Sequence, residues 1–408
     1  MVRSLNAGGP KRRFAVKRLI VLSLAIMVGA ILGNSNAMAQ QQDKVTLAVV
    51  IEQSGPGAAV GARWIRGVQM ASDEINAASG ILGKKIDVFI LDTKTEAPVA
   101  VAAMRKAIEN KPFVVMGPIF SGSTLAVMGL LRDAGIPEFV GSESPNVGKQ
   151  NAANSTNTYL GSLNVELSMQ KVAKWITEVL KSKKIALIWA NDELGKSGRE
   201  ALKKLLEPQG VQFVTDIATE LGQSSFTGEL SRIKASGADT LFIYMHEEES
   251  GKLLPQVREL GLDKQMKVVG HDTLLTEDTL RLAKDAANGV MGHVGLSPVA
   301  APLKPVADKY LAKYQELPDH NFYKSYISMH LIKAVVEQNK SFDQKQFREK
   351  LRNNTFCVKN YPGLLMDVHY DEKGDIDRES FLIKIENQKP VMAGILAPLH
   401  AEWFTSCK

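Results

Sequence analysis

Residues 45–61 read VTLAVVIEQSGPGAAVG, an apolar run from Val45 to Ile51 interrupted by Thr46 alone, a short turn, and then Ser54-Gly55-Pro56-Gly57 leading into a helix-like segment at 62–78. A short continuous apolar run, bounded by turn residues and followed by an amphipathic stretch, is the unit of a parallel sheet covered by helices. The unit recurs downstream. Apolar runs at 86–91 (IDVFIL), 113–116 (FVVM) and 138–141 (EFVG) alternate with helix-like segments at 99–108 and 122–134. Together they predict one doubly wound α/β unit.

After the Asn/Ser/Thr-rich stretch 151–158 the alternation restarts. Strands are expected at 185–190 (IALIWA), 211–217, 240–245 (TLFIYM) and 268–270, and helices at 167–180, 194–206, 226–235 and 251–260. The two units share architecture without a residue-level repeat. Beyond Gly289 the pattern becomes helical, at 303–314, 322–337 and 344–352, followed by a turn-rich piece at 361–375 and a hairpin of 381–385 with 391–395. These helices have only a hairpin to cover, so they are expected to return and complete the two lobes. The chain would then cross between the lobes several times, and such crossings act as a hinge.

The chain has 408 residues, 50 basic and 44 acidic, for a formal charge of +6. Six of the basic residues lie before residue 40 with no acid among them, which leaves the remainder balanced at 44 of each sign. A nucleic-acid partner would need a basic patch or stripe, and the body of the chain offers none. The first 39 residues have a basic start, an apolar run of about 14 residues and a small-residue end at Ala37-Met38-Ala39, the layout of a cleaved secretory signal. That run is short of the roughly 20 residues needed to span a bilayer; a retained anchor is the alternative. Cleavage after Ala39 would leave roughly 370 residues, enough for two domains with cores of their own. Cys357 and Cys407 are the only cysteines, and in an oxidising compartment they permit one disulfide that pins the tail.

Enzyme signals are few. Gly55, Gly57 and Gly61 follow a strand and open a helix, a spacing similar to a dinucleotide fingerprint, with Asp92 closing the next strand where a ribose-binding acid would stand. Pro56 between the first two glycines is awkward, and an exported chain rarely meets such a cofactor. The competing reading is a tight loop whose backbone approaches a small ligand. Among seven histidines there is no HExxH or Cys/His ligand spacing, and the sequence has neither a GxSxG elbow nor a P-loop. No catalytic residue, cofactor or metal is therefore expected. Tyr326 and His330, four apart on one helix, are assigned to core packing.

The loops at the strand ends carry the binding signals, because ligands of open α/β sheets sit outside the carboxyl ends of strands. In the first unit these are Ser54-Gly55-Pro56, Gly117 to Thr124 and Gly141 to Asn146, all rich in hydroxyls. Ser121 and Ser123 either cap a helix or offer hydroxyls beside a helix N-terminus that favours an anion. In the second unit the loops are acidic: Asn191-Asp192-Glu193, His246 to Glu249 and His271-Asp272. Glu247 to Glu249 read as a solvated helix start. A zwitterion between the lobes would place its carboxylate on the hydroxyl side and its ammonium on an acid such as Asp272.

Val45 to Gly61, Gly80-Ile81-Leu82-Gly83-Lys84, Met116 to Thr124, Ser225-Phe226 before Ser236-Gly237-Ala238-Asp239, and Tyr370 to Asp375 together resemble the periplasmic solute-binding proteins of branched-chain amino acid ABC transporters, nearly end to end. The resemblance implies two Rossmann-like lobes joined by a three-crossing hinge and closing on one small molecule. It implies lobe 1 from 40–162 and 290–376 and lobe 2 from 163–289 and 377–408. It also implies a periplasmic, monomeric, non-catalytic protein that delivers its ligand to a permease and ATPase. Ser121 and Asp272 match the family's carboxylate-binding and ammonium-binding positions. Pro145 replaces a threonine, with Ser144 as the substitute, Glu143 stands where a small residue is usual, and His246 falls at an aromatic position. The ligand-contacting set this implies is Ser54, Phe120, Ser121, Ser142, Glu143, Ser144, Leu194, His246 and Asp272. A branched-chain amino acid is the expected ligand. The alternatives are an amide, urea or an aromatic acid and, in other classes, an exported enzyme or a ligand-sensing receptor subunit.

Overall fold

The computed structural model describes Met1 and residues 44–154 and 156–408; apart from Met1, the expected leader lies outside them. Lobe 1 begins with β1 (Lys44–Ile51), α1 (Ala58–Ala77), β2 (Lys85–Asp92), α2 (Ala97–Glu109), β3 (Val114–Met116), α3 (Ser121–Ala134), β4 (Glu138–Val140), α4 (Pro145–Asn154) and β5 (Thr158–Leu160). Its five strands are parallel in the order β2-β1-β3-β4-β5. Leu47 to Ile51 are fully buried because helices cover both faces of the sheet, which is why β1 reads as a continuous apolar run rather than an alternating one.

Lobe 2 repeats the winding with α5 (Val165–Lys174), β6 (Lys184–Ala190), α6 (Glu193–Leu206), β7 (Gln212–Thr219), α7 (Thr227–Ala235), β8 (Thr240–Tyr244), α8 (Glu247–Glu259), β9 (Lys267–Gly270), α9 (Glu277–Ala283) and β10 (Met291–Val294). The strands run β7-β6-β8-β9-β10, and the antiparallel hairpin β14 (Ser380–Glu386) and β15 (Lys389–Leu396) extends the sheet to seven. Between these pieces lie α10 (Lys304–Tyr314), α11 (His320–Asn339), α12 (Gln344–Leu351) and a small antiparallel sheet of β11 (Asn354–Phe356), β12 (Val368–Tyr370) and β13 (Ile376–Asp377).

The chain passes between the lobes three times, after β5, after β10 and after β13. α11 returns to lobe 1 and packs on α1 at Gly67, where a Cβ would stand 2.0 Å from Ser325 Oγ. Tyr326 and His330 lie in this contact; their rings are 4.7 Å apart and the Tyr326 hydroxyl donates to Glu74. Cys357 and Cys407 are bonded and fasten the C-terminal turn, Ala401–Cys407, beside the small sheet. Among the described residues no helix is long and apolar enough to cross a membrane.

Three sequence expectations shift. The resemblance puts the return to lobe 1 at residue 290, yet Met291–Val294 is a strand of the lobe 2 sheet; its Gly292 and His293 interrupt the apolar run that would mark it. The polar stretch 151–158, after which the alternation restarts, ends α4 and begins β5, a fifth strand of the first sheet that the apolar pattern did not mark. Glu247 and Glu249 are buried, not solvated.

Candidate functional site

The three glycines of the dinucleotide-like motif serve backbone packing. A Cβ at Gly61 would lie 1.8 Å from the Glu52 carbonyl oxygen, and Gly55 adopts φ +80° against Lys94. Asp92 spends both carboxylate oxygens on the loops after β1 and β2: Gln53 N donates at 2.9 Å, Lys94 N at 2.8 Å and the Ser54 hydroxyl at 2.6 Å. Ser54 is therefore held at an exposed rim and stands apart from the other candidate residues.

Five of the others, Phe120, Ser121, Glu143, Leu194 and His246, meet between the lobes. From lobe 1 come Phe120 and Ser121 at the start of α3, Glu143 after β4, and Lys324 of α11; from lobe 2 come Leu194 of α6, His246 and Glu247 at the start of α8, and Thr273. Ser121 is the first helical residue and not a cap. The N-cap is Phe120, whose side chain satisfies none of the first-turn amides, so they are open to an anion or solvent. The Ser142 hydroxyl donates to Ser121 Oγ at 3.0 Å and keeps the two hydroxyls on one wall.

Glu143, the anomalous acid, is neutralised within lobe 1. Lys324 Nζ lies 2.8 Å from its Oε1 and 3.2 Å from the Gly141 carbonyl, with both side chains buried. Burial opposes ionisation of Glu143, but Lys324 and His271 outweigh it and hold the carboxyl below its ordinary range. Lys324 was missed in the sequence, although a signal exists: it is the lone charged residue between Asn321 and Ile332, amid aromatic and apolar neighbours.

Lobe 2 supplies three acids, arranged differently from the sequence expectation. Asp272 ends β9 as expected, but its Oδ1 accepts the Gly295 N–H of the second crossing at 2.7 Å, and it lies behind the cleft wall. The carboxylate that does line the cleft is Glu247, which accepts from Asn321 Nδ2 at 3.4 Å and sits 3.9 Å from His320 Nε2. Burial chiefly, with Asp319 adding to it, pushes the Glu247 carboxyl up to about 7. Glu193 reaches across the cleft, where its Oε1 accepts from the Ser144 hydroxyl at 2.7 Å and from Asn146 Nδ2 at 2.6 Å. Ser144 is thereby committed to an inter-lobe contact.

His246 covers the cleft. Its ring stacks on Phe120 at 4.7 Å and 16°, and its Nε2 lies 2.5 Å from Asp192 Oδ2. Burial disfavours the imidazolium, but the Asp192 hydrogen bond and charge prevail and push His246 up to about 9. The cleft thus offers hydroxyls and helix amides on one wall, a buried carboxyl on the other and an aromatic lid.

A family model described as periplasmic binding protein matches residues 44–389. The chain is similar to the Leu/Ile/Val-binding protein BraC3 of Rhizobium johnstonii, at 27% identity over 86% of this chain and 94% of that one. It is also similar to the Leu/Ile/Val-binding protein of Escherichia coli K12, at 26% identity over 86% and 93%. Its fold matches the branched-chain amino acid transporter substrate binding protein of Streptococcus pneumoniae, solved with isoleucine, at a TM-score of 0.77 and 24% identity over 87% and 100% of the two chains.

Proposed function

The chain belongs to the periplasmic binding protein family, and from that premise we propose that it is the solute-binding component of an ABC importer and that its cleft captures an amino acid of the branched-chain type. The arrangement that carries this reading is the pairing of two unlike walls: Ser121, Ser142 and the uncapped amides of α3 facing the buried carboxyl of Glu247. The ligand carboxylate would sit on the first wall, where the Lys324–Glu143 pair removes the repulsion a free Glu143 would exert. The ammonium would meet Glu247 in place of Asp272. Val60, Phe120 and Leu194 supply the apolar surface for a side chain. Closure removes water and strengthens each of these contacts. The relatives named Leu/Ile/Val-binding proteins support the same ligand class.

A second reading is an aromatic carboxylate. The Phe120–His246 stack favours it, since a protonated imidazole over an aromatic ring suits a flat anion. The test is a thermal-shift and calorimetric panel of leucine, isoleucine, valine, an amide and benzoate, in which a ligand at 100 times its Kd adds about 2.7 kcal/mol. Saturable binding of a branched-chain amino acid, recovered chemically unchanged, is expected. Binding of benzoate with none of the amino acids would overturn the first reading in favour of the second. The reading further places the mature chain in the periplasm after cleavage at Ala39, checked by the mass of the secreted product, and beside a cognate permease and ATPase.

A further inference from the structure

Behind the cleft wall, the ends of β9 and β10 bring together side chains that the sequence keeps 22 positions apart. Gly270 and Gly292 are register partners of these parallel strands, so the next residues, His271 and His293, share a rung. A Cβ at Gly292 would stand 2.6 Å from the Gly270 carbonyl oxygen, so the strands approach closely only as glycines. The two imidazole rings lie 5.0 Å apart, with Asp272 beside them and His271 Nδ1 at 3.5 Å from Asp272 Oδ2. One ligand atom from each of the three residues lies within 4.8 Å of the other two.

The cluster is under-satisfied. His293 is fully buried with neither ring nitrogen hydrogen-bonded, and His271 Nε2 has no partner either. The Tyr244 hydroxyl, on a ring 5.5 Å from that of His271, is likewise buried without one. Buried polar atoms without partners cost about 1–3 kcal/mol each, and an ion taken by one nitrogen of each ring would relieve part of that cost. Once His271 is neutral, each of the three residues has an electron pair to offer an electrophile, with the Tyr244 hydroxyl and Glu143 Oε2, 3.8 Å from His271 Nδ1, as the neighbouring polar groups.

We propose that His271, Asp272 and His293 hold a divalent first-row transition metal ion, with Zn²⁺ as the model occupant. Two imidazoles and one carboxylate form the N/O donor set that suits Zn, Cu, Ni or Fe rather than Mg or Ca. Tetrahedral bonds of about 2.0–2.1 Å imply ligand–ligand edges of about 3.3 Å, close to the His271–Asp272 separation; ring rotation closes the remainder. Asp272 is the carboxylate set against the ion's charge, because Glu143 is already paired with Lys324, and the Arg378 guanidinium donates to the Gly161 carbonyl at 3.0 Å. Asp272 Oδ1 keeps the Gly295 amide, leaving Oδ2 toward the ion. The ion would thus tie β9 and β10 to the second crossing and stiffen the hinge. This inference does not depend on which solute the cleft takes.

The test uses the purified chain without a histidine tag, stripped with a chelator and titrated with Zn²⁺ and, for its absorption spectrum, Co²⁺. One equivalent should bind, raise the unfolding midpoint and give the d–d bands of an N/O-ligated, low-symmetry Co²⁺ site. His293→Asn should weaken Co²⁺ binding by at least about tenfold, and His400→Ala, at the exposed C-terminal turn, should leave it unchanged. If His293→Asn does not fold, Asp272→Asn gives the same readout, and the wild-type Co²⁺ spectrum stands independently of either. No saturable binding of any of these ions to the wild type, or binding that His400→Ala abolishes and His293→Asn does not, would overturn the proposal.

Discussion

Lys324 and Glu143 form an ion pair with little access to water, and the cost of breaking it follows from geometry. At 2.8 Å and an effective dielectric of 20, the attraction is about 6 kcal/mol. Desolvation of both ions offsets most of that. Removing one partner leaves the offset without the attraction. Lys324→Met would strand the Glu143 carboxylate near Asp272, with only His271 and neighbouring donors to stabilise it, and should cost about 3–5 kcal/mol. At about 2–4 °C per kcal/mol for a lobe of this size, the unfolding midpoint should fall by roughly 6–20 °C. Replacing both residues, Glu143→Met with Lys324→Met, removes the attraction and the desolvation together and should return stability to within about 1–2 kcal/mol of wild type. Urea unfolding followed by tryptophan fluorescence on the wild type, both single variants and the double variant measures the coupling directly. A loss below about 1 kcal/mol in Lys324→Met, with additive effects in the double variant, would refute the pairing.

Glu247→Gln should weaken amino acid binding by about 2–5 kcal/mol, at least about 30-fold, if a buried ammonium pairs with it; calorimetry giving an unchanged Kd would move the ammonium elsewhere. Glu138 is fully buried, and burial, opposed only by the Thr158 hydroxyl, pushes it up to about 8. An acid raised in the fold adds stability that is full below about 4.5 and lost as pH rises through about 8. Glu138→Gln should therefore gain stability relative to wild type between pH 5 and pH 8, by a few kcal/mol in urea titrations; a constant difference would refute the assignment. His246, raised to about 9, contributes stability that is full below about 6.5 and lost as pH rises through about 9. An imidazole NMR titration should place its midpoint near 9 in the wild type and well lower in Asp192→Asn; equal midpoints would show that Asp192 is not the cause.

The parts of the fold legible in the sequence were those where burial dictates pattern. β1, β6 and β8 are covered on both faces, so VTLAVVI, IALIWA and TLFIYM admit few other readings. β10 was invisible because Gly292 is required by close strand approach and His293 faces a polar cluster, so neither residue looks like strand core. The strands β11, β12 and β13 are two or three residues long, too short for any period to register. In the cleft, Phe120, Ser121, Glu143, Leu194 and His246 could be proposed because strand-end loops converge by topology. Lys324 could not, since it reaches Glu143 from 181 residues away on a helix whose return to lobe 1 depends on the whole chain trace. Glu247 was misassigned because an acid in a first helical turn is usually solvated; here α11 packs over it.

The contacts that join the lobes also say how firmly the cleft shuts. Arg63 of α1 reaches Asp278 of α9 at 3.1 Å, Ser144 and Asn146 reach Glu193, Asn321 reaches Glu247, and Phe120 stacks on His246. All but the last are polar, and on opening each exchanges its partner for water at a net cost of about 1 kcal/mol or less where the group becomes exposed. Arg63 is spared even that, because the Tyr310 hydroxyl and Glu316 on its own lobe remain bound to it. A cleft sealed by apolar area would instead lose about 25 cal/mol per Å² exposed and would hold its solute at the transporter. Each 1.4 kcal/mol that such a polar contact withdraws from the closed state raises the apparent Kd tenfold at most. Such a range would suit the proposed carrier role, in which a small differential interaction with a membrane partner would suffice to release the solute.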